Sequence, residues 1–462
     1  MEKTAFRRVM NHRFSPTILK VEKRCLSIFL RDRRLLKKTL GNVTGCGRWR
    51  ERNMLGGPSK NEKIEDWKNL TRKILTQNIM PFWYPKTLDL ESGGYCLNHD
   101  IKGKPLGRGA KRIVTQSRML WYFSKLYNSG WAGKEALEAA EHGFNFLRDK
   151  MWDKEHGGFF WEVDSQGNVQ KDFKNMYGQG FALYGLSEYM VASKSGEAAK
   201  LARELFELME EHAYDREYGG YREFFTRNWS IPERDMMTYI APSVEFKTMN
   251  THLHLLEPFT IYYEATKDRM VKQRLMELIL ILSNTVVRMG SGACTDLHGR
   301  DWKPLDLQGE QRVSYGHNLE ALWLVAEACR AVKIPVGILI NYFRTIYNYC
   351  IKFGFDHERG GIYESGPINK PADRLAKIWW VQAESLVTMA YMYSLTGENI
   401  FLEHFRKTLD WIGNYQVDWR YGDWFDTVLP DGTPTGNKAY IWKSAYHNGR
   451  AMIKAIEILN SL

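Results

Sequence analysis

One motif recurs along this chain at a nearly fixed interval, and it restricts the fold more than any other feature. WDKEHGGFFWEV (152–163), YDREYGGYREFF (214–225) and FDHERGGIYES (355–365) share an aromatic–Asp–x–Glu–x–Gly–Gly pattern that runs into further aromatic residues. Their first glycines are Gly157, Gly219 and Gly360. Weaker copies stand at SGGYCLNHD (92–100), GSGACTDLHG (290–299) and YGDWFDTVLPDG (421–432), so the steps run about 62 to 72 residues. Periods of this length mark repeated supersecondary units that cannot bury their apolar faces singly.

Two helical patterns lie between successive copies. NMYGQGFALYGLSEYMVAS is followed by EAAKLARELFELMEEHAY, with apolar residues at three- and four-residue steps. Similar pairs cover 111–129 with 134–151, 246–266 with 270–289, 315–332 with 334–353, and 375–395 with 398–416. Single patterns at 63–79 and 444–461 bring the total to about twelve. No βαβ alternation supports a parallel sheet. The expectation is an all-α chain whose residues 61–462 form a single (α/α)6 barrel, a toroid of six helical hairpins. The Asp–Gly–Gly segments would make short β-turns or hairpins at one rim. An open solenoid is the alternative, and six repeats fit closure better.

The net charge of +11 does not describe this repetitive region. Residues 1–60 hold 16 Lys and Arg against 4 Asp and Glu, a balance of +12, so the other 402 residues sum to −1. A nucleic-acid partner would rest wholly on that arm, and none is expected. The arm's Arg-rich, acid-poor make-up is like that of an organelle transit peptide. The plainer expectation is a disordered or extraneous extension, with Met54 as the functional start. No apolar run approaches the ~18 residues of a membrane span, so no membrane association is expected. The six cysteines are scattered without a C-x-x-C pair, which fits a reducing, cytoplasmic setting.

Chemistry-bearing residues concentrate in NTHLHLLEP (250–258) and YGHNLEALW (315–323). At helical spacing His254 shares a face with Glu257, and His317 with Glu320. His252 and His254, two apart, point to different faces, so at most one reaches a common pocket. Di-iron bundles use the reverse order, Glu-x-x-His, and zincins need H-E-x-x-H. Neither occurs here, so no metal site is expected. His99, His142, His156 and His357 fall in charged or turn contexts and are expected at the surface. His254, His317 and His447 each begin a helical run in a different hairpin, among polar neighbours that include Arg118 and Asn250. Histidine takes and returns protons near neutral pH, so two facing one pocket suit proton transfer beside a carbonyl. A glycosidase would instead need two carboxylates at a set separation. Packed core histidines, in an idle sugar-binding or protein-binding toroid, remain the non-enzymatic alternative.

Tryptophan supplies a substrate class, because apolar sugar faces lie flat on indole rings. Most of the 16 tryptophans are expected to pack between helices. Trp380, beside Gln382 and Glu384, and Trp442, five residues before His447, are the candidates for sugar contact.

KTMNTHLHLLE, YGHNLEALWLV, KIWWVQAES and WKSAYHNGRAM, with RMLWYFSKLY and MYGQGFALYGLSEY, resemble the N-acylglucosamine 2-epimerase superfamily, and within it the cellobiose 2-epimerase branch. The resemblance runs from about residue 62 to the C-terminus and implies an (α/α)6 barrel. It implies reversible C2 epimerisation of a reducing-end sugar, in an oligosaccharide or monosaccharide, without metal or redox cofactor. His317 and His447 would be the two acid/base residues, and His254 would assist ring opening or hold substrate. Arg118 would face the oxygen that gains charge, and Glu320 would orient His317 or a sugar hydroxyl. Tyr177, Asn250, Trp380, Glu384 and Trp442 would bind substrate. A monomer or weak homodimer is expected. Within the superfamily, N-acylglucosamine 2-epimerase and mannose or glucose aldose–ketose isomerase remain open. Asn318, where the branch commonly has Asp, and Ala445, where it often has Pro, bear on substrate range and relative rates.

Overall fold

The computed structural model describes residues 60–233, 239–288, 290–306 and 311–462. The basic arm through residue 59, and with it the expectation about Met54, lies outside the described residues. Among the described residues twelve helices have twelve residues or more. They are α1 (Lys60–Ile74, continued by Leu75–Ile79 and Met80–Trp83), α2 (Ile113–Asn128), α3 (Lys134–Phe146), α4 (Met176–Ser193), α5 (Gly196–Leu208) and α6 (Met249–Thr266). They continue as α7 (Arg269–Leu280), α8 (Tyr315–Ala331), α9 (Ile340–Gly354), α10 (Trp379–Thr396), α11 (Asn399–Trp411) and α12 (Tyr446–Asn460).

The even-numbered helices form an inner ring, each packed on the next, and α12 returns to α2. The odd-numbered helices pack outside them. Composition accounts for the two layers. In α4 nearly every residue from Met176 to Tyr189 is buried, as a helix apolar on all sides must be. In α5 only the stripe Ala198, Leu201, Ala202, Leu205 and Phe206 is buried, leaving its charged residues outward. The pattern expected at 270–289 ends early: α7 runs through Ile281–Thr285, and Val287–Arg288 then pairs with Ala293–Cys294 in a hairpin.

The repeated motif fixes where each inner helix starts. In the copy before α4, Gly157 and Gly158 have φ of 68° and 71°, a left-handed pair that only glycine adopts without strain. Asp153 accepts from the backbone N–H groups of Glu155 and His156. It also receives the buried Lys174 ammonium at 3.0 Å, two residues before α4 begins. The same buried Lys–Asp pair joins Lys111 to Asp89, Lys247 to Asp215 and Lys377 to Asp356. In the last copy Lys438 takes Asp418 and Lys443 takes Asp423. The copy before α8 departs, with Arg288 and Val313 in the Asp and Lys places.

A second tie comes from the fourth residue of five inner helices, α2, α4, α6, α8 and α10. Gln116, Gln179 and Gln382 each accept from and donate to the backbone of the residue after the glycine pair: Tyr95, Phe159 and Ile362. Asn318 does the same with Cys294, and His252 accepts from the Tyr221 N–H at 2.9 Å. Asn318 is therefore engaged by the turn and does not line the cavity described below. Short strands then stitch each repeat to the next, as where Lys174–Asn175 pairs with Phe224–Phe225. The seam closes where the His99 N–H donates to the Ala439 carbonyl. This place in the seam corrects the expectation of a surface His99, which is buried edge-on against Phe82.

Removing one partner of a buried ion pair strands the other charge. Lys377→Met, which leaves Asp356 alone, is expected to cost about 3 kcal/mol, measured as a fall in the denaturant midpoint. An unchanged midpoint would contradict this role.

Candidate active site

All six inner helices deliver side chains to one cavity of about 260 Å³ from within their first six residues. Arg118 comes from α2, Tyr177 from α4, Asn250 and His254 from α6, His317 from α8, Trp379 and Trp380 from α10, and His447 from α12. Trp442 and the loop residues Tyr239 and Ile240 complete the lining. His317 and His447 each come one residue before a buried Asn that anchors its helix, Asn318 on the Cys294 backbone and Asn448 on the Asp423 carboxylate. Two residues beyond the tie comes an axial layer: Arg118, Phe181, His254, Glu320, Glu384 and Arg450.

Two of the expected residues lie behind the lining rather than in it. Glu384 was expected to bind substrate, but its oxygens are already occupied. Oε2 accepts from the Trp323 indole at 3.0 Å, while Oε1 takes Arg450 Nη2 at 2.8 Å and His447 Nδ1 at 2.6 Å. Glu384 therefore orients His447, whose Nε2 is left for the cavity. Glu320 accepts from Arg450 Nη2 at 2.7 Å through Oε1, and its Oε2 has no hydrogen-bond partner among the described residues. His254 Nδ1 meets Glu257 Oε2 at 3.1 Å, and its ring centre lies 6.3 Å from that of His317. The His317 ring lies tilted against Trp380, with ring centres 4.6 Å apart. His252 leaves the site altogether, its Nδ1 donating to the Thr248 carbonyl.

Arg118 supplies a fixed positive charge at the cavity wall. Nη2 donates to the Tyr177 hydroxyl at 3.0 Å and Nη1 to the Trp442 carbonyl at 3.3 Å. Its Nε, the Asn250 Oδ1 and the Trp379 indole N–H are buried without partners among the described residues. Unpaired buried polar groups are costly, so a hydroxyl-rich ligand matches this lining.

Burial sets the protonation states. It pushes His317 down to about 4, with Arg118 adding to the effect. Burial, Arg118 and His317 likewise hold His447 well below its ordinary value, and the Glu384 carboxylate on Nδ1 opposes them. Burial raises Glu320 to about 8, against the pull of Arg118, and burial together with Glu320 raises Glu384. Glu384 faces three donors and Glu320 only one, so a proton retained by the pair resides on Glu320. Nitrogen and oxygen atoms of His254, His317 and Glu320, and of Glu320, Glu384 and His447, converge within 4.8 Å in each group. The Arg450 guanidinium already occupies the cation position beside Glu320 and Glu384.

Arg450, Trp379 and Tyr239 were not picked out from the sequence. Aligning the inner helices on their Gln or Asn ties would have found Arg450; the loop that carries Tyr239 offers no such signal.

Known proteins agree with this architecture. The N-acylglucosamine 2-epimerase (GlcNAc 2-epimerase) family model matches residues 93–451. A cellobiose 2-epimerase of Dictyoglomus turgidum is 33% identical over 392 residues, covering 83% of this chain and 96% of that protein. The solved cellobiose 2-epimerase from Bacillus thermoamylovorans B4167 superposes with a TM-score of 0.78 at 30% identity, covering 85% of this chain and 99% of that one. A D-mannose isomerase of Thermobifida fusca is more distant, 24% identical over 364 residues, covering 75% of this chain and 85% of that protein.

A base must be neutral to remove a proton, and kcat/KM reports the free enzyme. With His317 near 4, the acid limb of kcat/KM is expected near pH 4. An acid limb near the unperturbed ~6.5 would show that the ring is solvated, contrary to its burial.

Proposed function

The chain belongs to the N-acylglucosamine 2-epimerase family, and from that premise we propose that it is a cellobiose 2-epimerase. It would interconvert glucose and mannose at the reducing end of β-1,4-linked disaccharides such as cellobiose and lactose. The observation that carries this reading is the pair His317 and His447, each one residue before its anchoring Asn on α8 and α12, in one cavity with Arg118.

The ring of the reducing sugar opens first, and the C1 aldehyde acidifies the C2 hydrogen. His254, held by Glu257 at the cavity wall, is placed to assist that opening. His317 removes the C2 proton, and the bonding pair moves into the C1 carbonyl to give an enediolate. The charge gathers on O1, beside the Arg118 guanidinium. His447, supported in its protonated form by Glu384, returns a proton to the opposite face of C2 and inverts the centre. In the reverse direction the two imidazoles exchange roles. Delivery to C1 instead gives the ketose, which makes slow aldose–ketose isomerisation a side reaction of the same cavity. Tyr177, Asn250, Trp380 and Trp442 hold the sugar, with the indoles as platforms for its apolar faces. Cys294, Cys329 and Cys350 are buried free thiols, and among the described residues no helix is long and apolar enough to cross a membrane. A cytoplasmic location fits both.

Incubation with cellobiose, lactose, mannose and N-acetylglucosamine, followed by chromatography, is expected to give the C2 epimers of the two disaccharides. Turnover of N-acetylglucosamine alone, or of none, would overturn the reading. His317→Ala and His447→Ala are each expected to lose at least about 10²-fold in C2–H exchange in deuterated water. Near-normal exchange in either variant would contradict the two-base scheme.

A further inference from the structure

Arg450 does not line the cavity; it lies 1% exposed beneath it. Its guanidinium is nonetheless the meeting point of three carboxyl groups from three helices. Nη2 donates to Glu320 Oε1 at 2.7 Å and to Glu384 Oε1 at 2.8 Å. Nη1 faces Glu257 Oε1 and the Tyr446 hydroxyl. The plane is held between the rings of Trp323 and Tyr446, 4.7 Å and 4.2 Å from their centres. Two of the three carboxyl groups go on to hold an imidazole: Glu384 takes His447 Nδ1, and Glu257 takes His254 Nδ1.

We propose that Arg450 is a positioning residue for the epimerisation, the hub through which Glu384 and Glu257 fix the orientation of His447 and His254. The proposal rests on the reading that these histidines serve C2 proton transfer and ring opening. Three carboxyl groups around one point in a poorly solvated layer cannot all stay ionised, because like charges at this range repel strongly. A planar cation with a fork of donors satisfies several of them at once without rotating any away from its imidazole. Without it, Glu384 and Glu257 must take up protons or swing apart, and either response releases the Nδ1 they hold. The nitrogen presented to C2 is then no longer fixed. Lysine restores the charge but not the fork.

Arg450→Met and Arg450→Lys separate these parts, and melting curves first establish that each variant is folded. On cellobiose, Arg450→Met is expected to lose about 10²-fold in kcat with KM little changed, because no cavity contact is removed. A ¹⁵N titration of the His447 ring, which needs no substrate, should move downward, since a Glu384 that has taken up a proton or swung away no longer supports the protonated ring. Arg450→Lys should recover part of kcat and part of that shift. A folded variant with wild-type kcat, or one with reduced kcat but an unmoved His447 titration, would overturn the proposal. If Arg450→Met does not fold, Arg450→Lys alone decides. If the wild-type protein epimerises no sugar, the proposed function fails, and the ¹⁵N titration still tests the hold of Arg450 on His447.

Discussion

The buried lysine that reaches back from the start of an inner helix to the aspartate of its Gly–Gly turn is the contact on which the rest of this structure depends. Lys111, Lys174, Lys247 and Lys377 make it at four of the six inner helices, and the fourth-residue ties to the turn backbone accompany it. Together they set both the depth and the rotation of each helix in the ring. With rotation fixed, the cavity is reached from the three positions before the tie and from the position two beyond it. A chain that repeats a structural motif thereby gains six equivalent positions at one end of a barrel. Only a few of them need polar side chains for a reaction site to appear. The copy before α8, with Arg288 and Val313, keeps the Asn318 tie while lacking the ion pair. The tie is therefore the more uniform of the two devices.

That geometry also controls the charges. The axial layer places Arg118 and Arg450 among Glu320, Glu384 and His254, in an environment too dry for ions to be hydrated. Burial and Arg118 keep His317 neutral, as the base of the proposed reaction must be. The Glu384 carboxylate behind His447 offsets part of the same penalty, so that ring can carry a proton when it must deliver one. In the proposed reaction two identical side chains thus differ in how readily each carries a proton, because of what stands behind them. In the proposed reaction Arg118, with Nε unpaired at the wall, faces the oxygen that becomes negative between the two transfers.

Much of this was legible in the sequence because it is periodic. The Gly–Gly motif set the repeat, and three- and four-residue apolar steps set the helices. The two-residue offset of His252 and His254 separated a structural ring from a cavity-facing one, although the tie that occupies His252 was not foreseen. What was missed depends on which helices meet across the axis. Glu384 reads as a free polar group beside Trp380 until α8 and α12 supply Trp323, Arg450 and His447 around it. Arg450 sits in an ordinary-looking HNGRAM segment, and its three carboxyl partners come from residues 66 to 193 positions away. Asn318 and His99 likewise look like surface or site residues until the ring closes over them. Periodicity reports the face of one helix, whereas such contacts belong to the assembled ring.

The central claim is that His317 and His447 address opposite faces of one carbon while Arg118 holds the adjacent oxygen. A crystal structure with an open-chain disaccharide alditol bound tests it most directly. The account predicts C2 of the open-chain unit between the two imidazoles, O1 against the Arg118 guanidinium, and the second sugar ring on an indole. Both imidazoles on one side of C2, or O1 turned away from Arg118, would contradict it.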